Sequence, residues 1–209
     1  MSRPVAIVDY GVGNLRSAQK AFEHLGQAAE ITSDPDRIAA APGVVLPGQG
    51  AFGSCMHDLE AAGLAGPVRE AIASGRPFLG ICVGMQLLFE RSEESPGVRG
   101  LAVLPGRIVR FAAAAGRKVP QMGWNQLRIV RPAPVLAGIA DGSWVYFAHS
   151  YYPLPDDPSL VATLTAYGVE YASSIWRDNV FAGVFHPEKS QRVGLAIFAH
   201  FLRQVEGRA

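Results

Sequence analysis

The sequence predicts a three-layer α/β protein: a mostly parallel central sheet with helices on both faces, and an antiparallel extension in the second half. Three observations lead there. In the first half, short apolar runs alternate with helix-length segments, the pattern of parallel strands joined by right-handed crossovers. In the second half, strand-like runs follow one another with little helix between them, as antiparallel hairpins do. The 209 residues are 49% hydrophobic and 18% charged, enough to bury a sizeable core and too apolar for a disordered chain. A single domain spanning residues 1–209 is expected.

The first strand falls at about 4–9, followed by a helix at about 14–25 with Asn14 as its N-cap and Gly26 as its stop. A strand at about 28–32 leads to Asp34-Pro35-Asp36, read as a solvated acidic loop. Strands at about 43–47 and 77–81 enclose helices at about 51–62 and 66–74, and a further helix is expected at about 83–91. The stretches 92–97, with Glu93 and Glu94, and 112–116 read as loops. Strands are then expected at about 107–111, 126–130, 143–148, 160–166, 173–177 and 180–185, with a closing helix at 190–205. No internal repeat is present.

The chemistry centres on Cys82. Pro77-Phe78-Leu79-Gly80-Ile81-Cys82-Val83-Gly84 is an apolar strand running into a G-x-C-x-G turn and a helix, the nucleophile-elbow pattern with Cys in place of Ser. A helix N-terminus favours the thiolate and turns free N–H groups toward an anion. Far along the chain, His186-Pro187-Glu188 follows another apolar strand, placing an imidazole at a strand's carboxyl end with a carboxylate two residues on. A soft nucleophile, a base that titrates near neutrality and an orienting anion make a Cys–His–Glu triad. Val44-Val45-Leu46-Pro47-Gly48-Gln49-Gly50 is a third apolar strand ending in a glycine loop, whose N–H groups, with that of Val83, suit an oxyanion. Taken singly, these segments also read as a buried Cys, a surface turn and an ordinary strand-to-helix loop.

Other functions lack support. The formal net charge of +1 and the absence of a polybasic cluster give no reason to expect nucleic acid. Cys55 and Cys82 make neither a disulfide framework nor a zinc pattern, and the five histidines show no metal-ligand spacing, so neither metal nor cofactor is expected. Cys55 reads as a small buried apolar residue. Gly11-Val12-Gly13 is not a dinucleotide fingerprint, because Arg16 stands where a third glycine belongs. Gly11 to Asn14 reads instead as a tight turn near the active edge or an interface. With no membrane-length apolar run, no leader-like start and a free catalytic thiol, a cytoplasmic protein without membrane contact is expected.

Leu46-Pro47-Gly48-Gln49-Gly50, Gly80-Ile81-Cys82-Val83-Gly84-Met85-Gln86-Leu87-Leu88 and His186-Pro187-Glu188 resemble the class I (triad) glutamine amidotransferase family. Three further segments are similar to the branch that serves histidine biosynthesis. They are Val8-Asp9-Tyr10-Gly11-Val12-Gly13-Asn14-Leu15-Arg16-Ser17, Val119-Pro120-Gln121-Met122-Gly123-Trp124-Asn125 and Tyr146-Phe147-Ala148-His149-Ser150-Tyr151-Tyr152. The resemblance runs nearly end to end, with Gln49 where Val is usual and Gln121 where His is frequent.

The resemblance implies glutamine hydrolysis with Cys82 as nucleophile, His186 as base and Glu188 as its orienter. It gives Gln86 and Glu94 the substrate's α-amino and amide ends, and the backbone near Ser150 and Tyr151 its α-carboxylate. It also implies a (β/α)₈-barrel cyclase as partner in a heterodimer, taking up the ammonia to form imidazole glycerol phosphate and aminoimidazole carboxamide ribonucleotide. Trp124 and Asn125 are the expected interface residues, an exposed Trp beside a Gly being a good anchor. Alternatives are a glutaminase serving another class I amidotransferase, a stand-alone γ-glutamyl cysteine hydrolase, and a non-catalytic scaffold.

Overall fold

The computed structural model describes residues 3–113 and 118–207. Its central sheet begins with strands whose residues are buried throughout: β1 (Val5–Val8), β3 (Val44–Leu46), β4 (Phe78–Ile81) and β13 (Val180–Gly183). Continuous apolar runs of this kind belong to parallel strands covered on both faces. With β2 (Ala29–Thr32), β8 (Arg128–Ile129), β11 (Val161–Ala166) and β12 (Glu170–Arg177) they form one eight-stranded sheet in the order β2-β1-β3-β4-β13-β12-β11-β8. The pairings from β2 through β13 are parallel, and those of β12, β11 and β8 are antiparallel.

Helices α1 (Leu15–His24), α3 (Phe52–Ala61), α4 (Ala65–Ala73) and α6 (Gln191–Val205) fall where the periodicity places them. Phe22 of α1 meets Phe198 of α6 edge-to-face, with ring centroids 4.9 Å apart, joining the first and last helices in the core. Among the described residues no helix is long and apolar enough to cross a membrane.

Four elements depart from expectation. Asp34-Pro35-Asp36 is not a loop but the start of α2 (Pro35–Ala40): the Asp34 side chain accepts from Asp36 N at 2.9 Å, and proline takes the first turn. Asn14 caps nothing with its side chain, which is engaged elsewhere. The helix expected at 83–91 is only α5 (Val83–Gln86). The carbonyls of Leu87, Leu88, Phe89 and Glu90 accept instead from amides of residues 100–104, so the backbone is satisfied without a helix.

The fourth departure is in the second half, which does not all join the central sheet. The 126–130 strand is really β7 (Gln121–Gln126) followed by the short β8. Among the described residues β7 pairs with β9 (Trp144–His149) alone, in a separate antiparallel ribbon. The expected 107–111 strand, β6 (Gly106–Arg110), lies between β5 (Arg91–Ser92) and β10 (Tyr151–Pro155) in a three-stranded sheet. β10 holds Pro153 and Pro155, which argue against a strand, yet it lies at a sheet edge where a missing N–H costs no ladder bond. Of the expected 112–116 loop, residues 114–116 lie outside the described residues.

Candidate active site

β1, β3, β4 and β13 run parallel, so the segments after them gather at one edge of the sheet. In open α/β sheets that edge holds the ligand. Gly11 to Asn14, the 48–50 loop, Cys82 and His186 all follow these strands.

Cys82 joins β4 to α5 with φ 54° and ψ −115°, backbone angles unusual for a residue with a side chain. Strain of this kind persists where the surroundings over-determine it. Here Cys82 N donates to Gly183 O at 2.8 Å, and the loop after β3 is laid against the elbow. A Cβ on Gly84 would stand 1.9 Å from Leu46 O, and one on Gly48 would stand 2.6 Å from Gly84 N. The two glycines are therefore required by backbone-to-backbone approach, which brings the 48–50 loop beside the Val83 N–H at the start of α5.

His186 is held from both sides. Its N donates to Tyr146 O at 2.9 Å, its carbonyl accepts from Ser190 Oγ at 2.6 Å, and Ser190 Oγ accepts from Tyr146 N at 3.0 Å. The ring's Nδ1 lies 2.8 Å from Glu188 Oε1, with both side chains almost wholly buried, and the ring lines the same cavity as Cys82. Burial opposes charge on the imidazole, but its bonds to Cys82 and Glu188 outweigh that and push its pKa up to about 10. Burial likewise opposes charge on Glu188, and the His186 and Asn14 contacts overcome it to hold the carboxyl below its ordinary range. The buried carboxylate of Glu188 thus favours the charged form of the His186 ring.

Asn14, expected to cap α1, turns its side chain the other way. Its Nδ2 donates to Glu188 Oε1 at 3.0 Å, adding a fourth member to the row Cys82–His186–Glu188–Asn14. The signal available was the Gly11 to Asn14 turn, which follows a strand at the ligand edge. Ser190 and Tyr146 were also missed, because their roles depend on contacts between β9 and the turn after β13.

Cys82 opens onto a cavity of about 240 Å³ whose walls include Gln49, Gly50, Val83, Gln86, Glu94, Ser150, Tyr151 and His186. Gln86 is buried and its Oε1 has no protein partner. Glu94 also has a structural task, since its Oε2 accepts from Phe52 N at 2.7 Å and so caps α3. The Gln49 side chain is exposed and makes no hydrogen bond to its own loop, whereas its carbonyl accepts from Cys55 Sγ at 3.3 Å. Gly48 lies behind the cavity wall and Glu188 behind His186. Lys189 lines the cavity as well, with its Nζ 5.7 Å from the Tyr146 ring centroid.

Trp124 is 43% exposed, so it is not core. Its ring meets Tyr146 edge-on at 6.1 Å between centroids, and Tyr146 meets His186 at 6.4 Å, so a line of rings leads from the surface to His186. Asn125 Nδ2 donates to Ala166 O at 2.9 Å, fixing the ribbon to β11. Met122 and Trp144 are exposed near Trp124 on the β7–β9 ribbon, where Met122 pairs with Ala148 and Trp144 with Gln126.

A strained Cys at a strand-to-helix elbow, an imidazolium donor and a backbone-lined loop equip the cavity for acyl transfer from an amide. The family model described as "Glutamine amidotransferase class-I" matches residues 6–205. A relative from Syntrophotalea carbinolica, named imidazole glycerol phosphate synthase subunit HisH, is 52% identical over 202 residues, covering 94% of this chain and 98% of that protein. One of the same name from Deinococcus radiodurans is 47% identical over 201 residues, covering 96% and 94%. Among solved structures, one described as a glutamine amidotransferase superposes with a TM-score of 0.75 at 20% identity, covering 97% of this chain and 98% of that one. A glutamine amidotransferase from Thermotoga maritima gives 0.68 at 13% identity, covering 99% and 100%. At such identities the two structures speak for the fold.

Proposed function

The chain belongs to the class I glutamine amidotransferase family, and on that premise we propose that it is the glutaminase subunit of an imidazole glycerol phosphate synthase, with Cys82, His186 and Glu188 as its triad. The observation that carries the residue assignment is the buried His186–Glu188 pair set at the cavity that Cys82 also lines.

The Cys82 sulfur, its proton taken up by His186, attacks the side-chain amide carbon of glutamine, forming a C–S bond as the carbonyl electron pair moves to oxygen. The N–H of Val83 and the backbone of the 48–50 loop receive that oxyanion. His186, held protonated between its partners, gives its proton to the departing nitrogen as the C–N bond breaks, releasing ammonia and leaving a thioester. The neutral imidazole then takes a proton from water, whose oxygen attacks the thioester and expels glutamate and the thiolate. Glu188 keeps one ring edge of His186 fixed throughout.

Gln86 and Glu94 face the substrate's polar ends, Glu94 countering the α-ammonium, and the backbone of Ser150 and Tyr151 receives the α-carboxylate. Ammonia is mostly protonated in neutral water and then useless as a nucleophile, so the product must pass directly to an acceptor. The relatives' name speaks of a subunit, and the exposed Met122, Trp124 and Trp144 offer an apolar face beside the cavity. We assign that face to a (β/α)₈-barrel cyclase that forms imidazole glycerol phosphate and aminoimidazole carboxamide ribonucleotide in the cytoplasm, residues 1–209 acting as one domain. The exposed face weighs against a stand-alone γ-glutamyl hydrolase. Glutamate release measured alone, with the cyclase, and with the cyclase and its ribonucleotide tests the reading. Full activity without partner or ribonucleotide would refute it.

A further inference from the structure

Beside the cavity, apart from Cys82, lies a buried cluster that the reaction above leaves idle: Gln121, Tyr171 and His149. His149 Nδ1 is 2.8 Å from Tyr151 O, its Nε2 is 3.3 Å from the Tyr171 hydroxyl, and that hydroxyl is 2.9 Å from the Gln121 amide. The available protons fix how these contacts run. Burial pushes the His149 pKa down to about 4, so the ring is neutral and carries one N–H. Tyr151 O can only accept, which places that hydrogen on Nδ1 and leaves Nε2 a bare acceptor.

Tyr171 can then give its proton to Nε2 while accepting from Gln121, provided the Gln121 amide turns its N–H toward the hydroxyl. With Oε1 toward Tyr171, the amide leaves Nε2 buried without a partner. Turned over, its N–H meets the hydroxyl, and the group left unpaired is an amide oxygen, which is met more often than an orphaned N–H.

The bond from His149 spans a particular place in the chain. β9 ends at His149 and β10 begins at Tyr151, and the two strands belong to different sheets. Ser150 alone joins them, and both Ser150 and Tyr151 line the cavity. Ser150 O is held by Phe111 N at 3.0 Å, so the His149 bond to Tyr151 O supplies the second restraint on this hinge.

We propose that His149 is a positioning residue, held in one tautomer by Tyr171 and Gln121, that fixes the backbone of Ser150 and Tyr151 where glutamine's α-carboxylate binds. This rests on the glutaminase reading. The chain of bonds starts at Gln121, the first residue of β7, whose neighbours Met122 and Trp124 face outward. The carboxylate pocket is thereby wired to the strand offered to the partner.

The test is steady-state hydrolysis by the complex with its cyclase, comparing glutamine with glutamine α-amide, in which a neutral amide replaces the α-carboxylate. His149→Leu should raise the KM for glutamine about fivefold to tenfold, the effect of one lost hydrogen bond, with kcat within about twofold. The KM for the α-amide should not move. His149→Asn, whose amide N–H can reach the same carbonyl two residues on, should restore most of the loss. Tyr171→Phe, which deletes one oxygen and keeps the ring, should raise the glutamine KM about threefold and carries the test if His149→Leu does not fold. KM values that rise equally for both substrates, or a lowered melting temperature with no change in KM, overturn the proposal. A wild-type complex that hydrolyses no glutamine removes the glutaminase reading itself. An active wild type with unaffected variants removes only the role of His149.

Discussion

Asn14→Ala tests whether the row behind Cys82 works as a unit. Glu188 Oε1 accepts from both His186 Nδ1 and Asn14 Nδ2, while Glu188 Oε2 has no protein partner. Removing Asn14 leaves the carboxylate pivoting on its bond to the base it should hold. A hydrogen bond to a charged group contributes about 1.5–3 kcal/mol. Asn14 is only partly buried, so water recovers some of this and the lower end applies. At about 1.4 kcal/mol per factor of ten, kcat should fall about tenfold. Asn14 does not line the cavity, so the KM for glutamine should stay within about twofold. The assay is glutamate release by the complex at saturating glutamine, with partner affinity measured separately to remove any docking effect. A kcat loss below about twofold, or a raised KM at unchanged kcat, would show that Glu188 holds His186 without help.

Cys82→Ser should abolish hydrolysis while leaving partner binding intact, since losing a nucleophile costs several orders of magnitude; glutamate release above about a tenth of the wild-type rate would refute the assignment. Glu188→Ala should hurt less than His186→Ala, because the carboxylate orients without exchanging protons, and equal losses would contradict this. Activity should decline at alkaline pH with a midpoint near 10, where His186 loses the proton it gives to ammonia, and a midpoint near the ordinary imidazole value would refute the pairing. The sign for stability follows from the raised pKa: this pairing stabilises fully below 6.5 and is lost as pH rises through about 10, read as a falling melting temperature. Gln49→Val should leave the unstimulated rate within about twofold, since the exposed side chain makes no bond to its loop and forfeits none of the ~0.5–1.5 kcal/mol such a bond would contribute. A larger change in that rate alone would place Gln49 in a switch. Trp124→Ala should weaken cyclase binding by at least about thirtyfold, as loss of an aromatic anchor worth about 2 kcal/mol does, and a titration showing unchanged affinity would move the interface elsewhere.

The buried parallel strands were legible because β1, β3, β4 and β13 are apolar without alternation, and the elbow because Gly80 and Gly84 flank Cys82 at the end of such a strand. The grouping of Cys82 with His186 and Glu188 was legible because Cys82 directly follows β4 and His186-Pro187-Glu188 comes shortly after β13, so sequence position sets them at one edge. The helix start at Asp34-Pro35 is readable too, since Asp before Pro is a capping pattern as well as an acidic one. Three features were beyond local reasoning. α5 stops after Gln86 because amides of residues 100–104 claim the carbonyls that follow, a long-range event. Ser190 acquires its role by receiving a bond from Tyr146, 44 positions away. Which sheet β7, β9 and β10 join depends on pairings that alternation cannot distinguish.

Cys55 lends the protein an analytical property. The residue is 1% exposed beneath the Gln49 carbonyl, and burial pushes its pKa up to about 11, so neither access nor ionisation favours alkylation. Cys82 instead opens into the cavity. With these two as the chain's cysteines, a neutral thiol reagent should modify one equivalent in native protein and a second only after denaturation. The first equivalent counts working sites in a preparation, and the ratio of first to total reports the fraction of molecules that are correctly folded.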